Sequence, residues 1–207
     1  MTRFVVSGTG TGIGKTVFAA ALTGALGARY WKPVQAGLDG ETDSEAIARL
    51  VDIPADRILP EAWRLKLPAS PHLAAEREGM TIDPDRLDPP NHAGPLVIEG
   101  AGGVLVPLTR NYLFADLFAR WQIPVIIVAT TQLGTISHSL TAIEALRARK
   151  VPIHGVAFVG EAQDDNERTL PEMSGVRRLG RLPLIDPLTP ANLAQAFRSG
   201  FDLRDFA

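Results

Sequence analysis

Apolar and polar positions along this chain alternate between two rhythms. Short runs dominated by apolar residues, Phe4-Val5-Val6, Leu96-Val97-Ile98, Val125-Ile126-Ile127-Val128-Ala129 and Ile153 to Val159, are separated by stretches with apolar residues at helical spacing. A continuous apolar run suits a parallel strand covered on both faces. Helices are predicted over Val17 to Ala28, Ser44 to Val51, Tyr112 to Trp121, Ser137 to Arg149 and Pro190 to Arg198. A short helix starts at Ser70-Pro71-His72 and runs through Glu78, a weak one over Asn166 to Met173 is interrupted at Pro171, and Arg177 to Leu182 forms a last short strand. Strands and helices follow one another at the spacing of βαβ units. The expected fold is α/β: one domain over residues 1–207, with a parallel sheet and helices on both faces.

Two stretches break the rhythm. Asp52 to Pro71 carries Pro54, Pro60, Pro68 and Pro71, which argues against long regular elements and leaves Trp63 and Leu65 to pin an irregular excursion to the core. Asp83 to Pro95, with Asp88-Pro89-Pro90 at its centre, reads as a connector.

The first strand runs into Gly8-Thr9-Gly10-Thr11-Gly12-Ile13-Gly14-Lys15-Thr16 and then into an Ala-rich helix. Strand, glycine-dense turn and Lys-Thr at a helix start describe a phosphate loop. Glycines let successive N–H groups point at phosphate oxygens, the lysine adds a mobile positive charge, and the threonine hydroxyl suits Mg²⁺. The common form has four residues between its first glycine and Gly-Lys-Thr; here Gly8 leads with five. Partition-type ATPases carry a second, signature lysine five residues before the conserved one, and that position is Gly10.

Three polar groups stand near the ligand edge of the expected sheet, where strands end. Lys32 lies in Tyr30 to Gly37, read as one short strand with an extended backbone before Pro33. Asp43 follows the acidic turn Leu38 to Thr42; it reads equally as a helix N-cap or as a functional carboxylate. Glu99 ends an apolar strand ahead of Gly100, Gly102 and Gly103, where a metal or water ligand belongs beside a phosphate loop, or where an ordinary acid closes a strand. The polar loop Thr130 to His138 opens a helix whose free N–H groups could hold a carboxylate or phosphate, with Ser137 as a simple cap as the plain alternative.

Composition narrows the chemistry. The chain has 207 residues, 45% hydrophobic and 21% charged, and a formal net charge of −2, so no nucleic-acid footprint or basic membrane tail is expected. The absence of cysteine excludes disulfides, thiolate metal sites and a cysteine nucleophile. Neither a signal peptide nor an apolar run of the roughly 18 residues a membrane span needs is apparent. The expectation is a soluble cytoplasmic protein acting on small anions.

The whole set resembles the dethiobiotin synthetase family, enzymes of the penultimate step of biotin synthesis. The resemblance rests on the long phosphate loop, Lys32-Pro33-Val34, Thr42-Asp43, Ser70-Pro71-His72, Glu99 to Gly103, Phe114-Ala115-Asp116, Pro124-Val125-Ile126 and Leu133-Gly134, in family order. It implies that diaminopelargonic acid, CO₂ and ATP give dethiobiotin, ADP and phosphate through a carbamate and a carbamic-phosphoric anhydride. It further implies catalytic roles for Lys15, Lys32 and Thr11, and Mg²⁺ held by Thr16, Asp43 and Glu99. The nucleotide would meet Gly12, Ile13, Gly14, Lys15, Thr16, Val17, Glu99, Gly102, Val159, Leu182 and Pro183. The diamine would meet Thr11, Lys32, Gln35, Ala36, Gly100 and Ala101, with its carboxylate at Gly134, Thr135, Ile136 and Ser137 of a neighbouring subunit in a homodimer.

Three positions depart from the family pattern. Gly10 replaces an aspartate, Ala36 replaces a hydroxyl residue so that Gln35 would supply any contact there, and Val159 replaces the asparagine that reads adenine. The expectation is weak discrimination among bases. Two other readings share parts of this pattern. A cobyrinic-acid amidating enzyme would need an amidotransferase half with a cysteine nucleophile. A partition or positioning ATPase switch is disfavoured by Gly10 and by the lack of an amphipathic terminal helix.

Overall fold

The computed structural model describes residues 2–207. The chain opens with strand β1 (Arg3–Gly8), the phosphate loop and helix α1 (Lys15–Leu26), which ends at Gly27 in the left-handed conformation. Next come β2 (Arg29–Trp31) and β3 (Val34–Ala36). The single strand expected over Tyr30 to Gly37 is thus two, broken at Lys32-Pro33. Proline has no N–H to donate to a ladder, and the chain leaves the main sheet there to pair β3 with β5 (Trp63–Leu65).

Helix α2 (Asp43–Leu50) is capped by Thr42, whose hydroxyl accepts the Glu45 N–H while the Glu45 carboxylate accepts the Thr42 N–H. Asp43 is therefore not the N-cap, and its side chain is free for other work. The proline-rich excursion is irregular as expected, with buried Leu65 as its anchor, but it also contributes β4 (Ile58–Leu59) to the edge of the main sheet. Helix α3 (Pro71–Arg77) matches the short helix read from Ser70-Pro71-His72.

Strand β6 (Leu96–Gly103) continues past Glu99, which sits within the strand and not at its end. A small hairpin, β7 (Pro107–Thr109) and β8 (Tyr112–Leu113), precedes α4 (Phe114–Trp121), so the helix expected from Tyr112 starts two residues later. Then follow β9 (Val125–Thr130), α5 (Thr135–Ala148), β10 (Ile153–Val159), α6 (Asp164–Ser174), β11 (Arg178–Leu182) and α7 (Pro190–Gly200). Helix α5 is capped by Gly134 at positive φ, so Ser137 lies inside it and caps nothing. Helix α6 runs through Pro171, against expectation; buried Leu170 and the ion pairs of Glu167 with Arg178 and Arg181 hold that turn in place.

Seven parallel strands form the central sheet in the order β11-β10-β9-β1-β6-β2-β4. Alternate residues face opposite sides, and both sides are covered. Val5, Ile98, Ile127 and Phe158 pack with Phe114, Phe118, Ile143 and Leu146 of α4 and α5. Val6, Val97, Ile126 and Val128 pack with Phe18 and Leu22 of α1, Ile47 of α2 and Phe197 of α7. The order reverses beside β1, where an open sheet of this kind forms a crevice at its strand ends. No described helix is long and apolar enough to cross a membrane.

Candidate active site

The phosphate loop occupies that crevice. Gly14, at φ +90°, is the N-cap of α1, and a Cβ there would fall 2.7 Å from a methyl of Val159. Only glycine fits a turn that is both left-handed and pressed against a side chain. Lys15 lies back over the loop, with Nζ donating to the Gly10 carbonyl at 2.5 Å. Burial, partly offset by Glu99 and reinforced by the like charge of Lys32, lowers its pKa from the usual lysine value to about 8.

Four elements send one polar side chain each to the floor of the same cleft. Thr16 Oγ1 from α1 lies 2.6 Å from Asp43 Oδ1 of α2 and 2.9 Å from Glu99 Oε1 of β6. Lys32 Nζ, from the end of β2, lies 2.7 Å from Asp43 Oδ2 and 3.2 Å from Glu99 Oε1, and also donates to the Gly100 carbonyl at 3.2 Å. Burial works against the Lys32 charge, but Glu99 and Asp43 outweigh it and raise its pKa. Burial likewise works against the Asp43 charge, and Lys32 and Thr16 overcome it, lowering that pKa.

This donor set suits a hard divalent cation. Two carboxylate oxygens and a hydroxyl oxygen converge on one point, and the hydroxyl has a single proton to share between them. Among the described residues no group of three or more His, Cys, Asp or Glu is clustered for a metal. A cation held here must complete its shell from Thr16, water and phosphate oxygens, which is the habit of Mg²⁺.

The cleft above, about 700 Å³, is lined by Thr11, Gly12, Gly14, Lys15, Thr16, Val17, Lys32, Gln35, Ala36, Asp43, Glu99, Ala101 and Gly102 among the residues singled out from sequence. Pro68, Ala69, Ser70, Pro71 and Val106 line it too. Ser70-Pro71 was legible as a helix start, but the sequence had no signal placing it opposite the phosphate loop. A second cleft, about 430 Å³, shares Gly12, Gly14 and Val17 with the first and continues past Ile13, Val159, Leu182 and Pro183 to Thr130, Thr131, Gln132 and Glu161. The two flank the phosphate loop, one suited to phosphates and an acceptor, the other to a nucleoside.

Several expected contacts are otherwise engaged. Gln35 Oε1 accepts the Asp43 N–H, and its amide donates to the Ala36 and Gly37 carbonyls, so it orders the approach to α2. Gly100 sits behind the floor, its carbonyl turned to Lys32. Gly134, Thr135, Ile136 and Ser137 line neither cleft, and the Thr135 hydroxyl donates to the Thr130 carbonyl. Asp116 caps α4 through the Leu113 N–H and pairs with Arg149, a structural duty.

The model of the AAA domain family matches residues 2–192. An ATP-dependent dethiobiotin synthetase of Sphingopyxis alaskensis is 61% identical over 206 residues, covering 100% of both chains. One from Agrobacterium fabrum is 62% identical over 204 residues, covering 99% of this chain and 96% of its own. The chain belongs to the ATP-dependent dethiobiotin synthetase family.

Solved structures share the fold alone. The MinC:MinD cell division protein complex of Aquifex aeolicus superposes with a TM-score of 0.53 at 13% identity, over 95% of this chain and 86% of its own. Apo McdA of Cyanthece gives 0.56 at 13% identity, over 95% and 91%. Those neighbours match the positioning-ATPase alternative in architecture. The full-length synthetase relatives favour the synthetase reading over it, and Gly10 stands where the signature lysine of such ATPases would be.

Proposed function

We propose that this protein carboxylates 7,8-diaminopelargonic acid and closes the ureido ring of dethiobiotin, a ligase reaction that forms C–N bonds with ATP as co-substrate. The observation that carries the reading is two buried amines in one phosphate-loop cleft, Lys15 folded over the loop and Lys32 paired with the carboxylates Asp43 and Glu99 on the floor.

One amine of the substrate adds to CO₂ and loses a proton to give a carbamate. A carbamate oxygen then attacks the γ-phosphorus and ADP leaves; the second amine attacks the anhydride carbon and phosphate leaves. Both partners of the phosphoryl transfer are anionic, so the site must neutralise charge where it develops. Lys15 serves the phosphates, and Lys32 serves the carbamate side. Thr11, beside Gly102, stands between the loop and the diamine. Thr16, Asp43 and Glu99 would hold Mg²⁺, which would supply further neutralisation of the phosphates. The nucleoside occupies the second cleft, with Val159 against the loop.

The helix α5 start, Gly134 to Ser137, lies outside both clefts of its own subunit. This supports a homodimer with a shared site in which a partner's α5 takes the distant carboxylate of the diamine; a cytoplasmic location belongs to the same reading. Residues 1–207 act as one unit. Phosphate release in proportion to added diamine and bicarbonate, with dethiobiotin found by mass spectrometry, tests the activity. Phosphate release indifferent to the diamine would refute it. A monomer at assay concentration by light scattering would remove the shared site.

A further inference from the structure

Tyr30 belongs to no motif read from the sequence, yet it touches the candidate metal site. It lies in β2, in register with Val97 of β6. Alternate strand residues share a face, so Tyr30 is on the side of Lys32, Val97 and Glu99, packed among Phe18 and Leu22 of α1 and Ile47 of α2. The ring is fully buried, and its hydroxyl donates to Glu99 Oε2 at 2.8 Å. Thr16 and Lys32 both approach the other oxygen, Oε1.

The carboxylate therefore has a dedicated donor on each side. Tilting the carboxylate plane about its last bond would lengthen the Tyr30 bond and turn the cleft-side oxygen away from Thr16 and Lys32. The ring itself belongs to the apolar cluster on that side of the sheet.

We propose that Tyr30 is a positioning residue that clamps Glu99 Oε2 so that Oε1 faces the cation, thereby setting the affinity of the site for Mg²⁺ without touching either substrate. This rests on the reading of Glu99 as a metal ligand. Groups that orient a ligand from behind commonly change metal affinity by about 10–100-fold when removed.

The test compares wild type, Tyr30→Phe and Glu99→Gln. Binding of a fluorescent ADP analogue is titrated with Mg²⁺ and repeated in EDTA, with thermal unfolding in EDTA alongside. For Tyr30→Phe the expected result is a half-saturating Mg²⁺ concentration raised about tenfold, while nucleotide affinity and unfolding temperature in EDTA stay near wild type. Turnover lost at limiting Mg²⁺ should return at saturating Mg²⁺. An unchanged Mg²⁺ midpoint in Tyr30→Phe, with Glu99→Gln shifted, overturns the role of Tyr30 alone. An unchanged midpoint in Glu99→Gln overturns the ligand reading and the clamp with it. Equal losses with and without Mg²⁺ in Tyr30→Phe make the tyrosine a scaffold residue and also overturn the proposal.

Discussion

Lys32 Nζ lies 2.7 Å from Asp43 Oδ2, joining the residue that leaves β2 to the residue that opens α2. The amine is 4% exposed and reaches Glu99 as well, so one positive charge is set among two negative ones away from water. This pair does two jobs: it holds α2 against the sheet and aims a cation into the cleft.

Lys32→Ala should therefore fail twice. Loss of a donor aimed at developing charge costs about 10²–10³ in rate. Leaving buried Glu99 and partly exposed Asp43 without their partner costs up to about 3–5 kcal/mol in stability. Stopped-assay turnover together with thermal unfolding checks both; near-wild-type values in either would contradict the geometry.

Lys15 carries the pH dependence of phosphate binding. Its pKa is lowered to about 8 by burial in the nucleotide-free protein, and an arriving phosphate favours the charged form and raises it. Binding then takes up a proton, and affinity for nucleotide falls as pH rises through 8. Calorimetric titration at that pH in two buffers of different ionisation enthalpy should show net proton uptake, and Lys15→Met should abolish the difference between buffers.

Thr42→Ala removes the hydroxyl that caps α2. The expected cost is about 1 kcal/mol, read as a lower denaturant midpoint. Because Asp43 is the next residue, the Mg²⁺ requirement should also rise. Thr42→Ser should restore both, since serine caps as well.

Val159 lines the second cleft and brings no amide that could read a base edge from that position. A position that offers no specific hydrogen bond rejects a competing substrate only weakly, by about 100-fold or less. The ratios of kcat/KM for ATP, CTP and GTP should fall within that range, and Val159→Asn should widen it in favour of ATP. Strict preference for ATP by the unmodified protein would exclude this account.

Sequence by itself determined the elements whose signals are local. The apolar runs of β1, β9 and β10 point to covered parallel strands, and Gly8 to Thr16 points to a phosphate loop, because glycine spacing and Lys-Thr at a strand-to-helix junction are what that turn requires. Lys32, Asp43 and Glu99 were visible as candidates, but Asp43 stood undecided between cap and ligand until Thr42 proved to hold the cap. Tyr30 was invisible, since a tyrosine in an apolar strand has no local mark of function. Tertiary structure decided these points because the site is made by β2, α1, α2 and β6 converging from distant parts of the chain. Whether a buried polar atom is a ligand, a clamp or a cap depends on what faces it across the sheet, and that is set by parallel register rather than by neighbours in sequence.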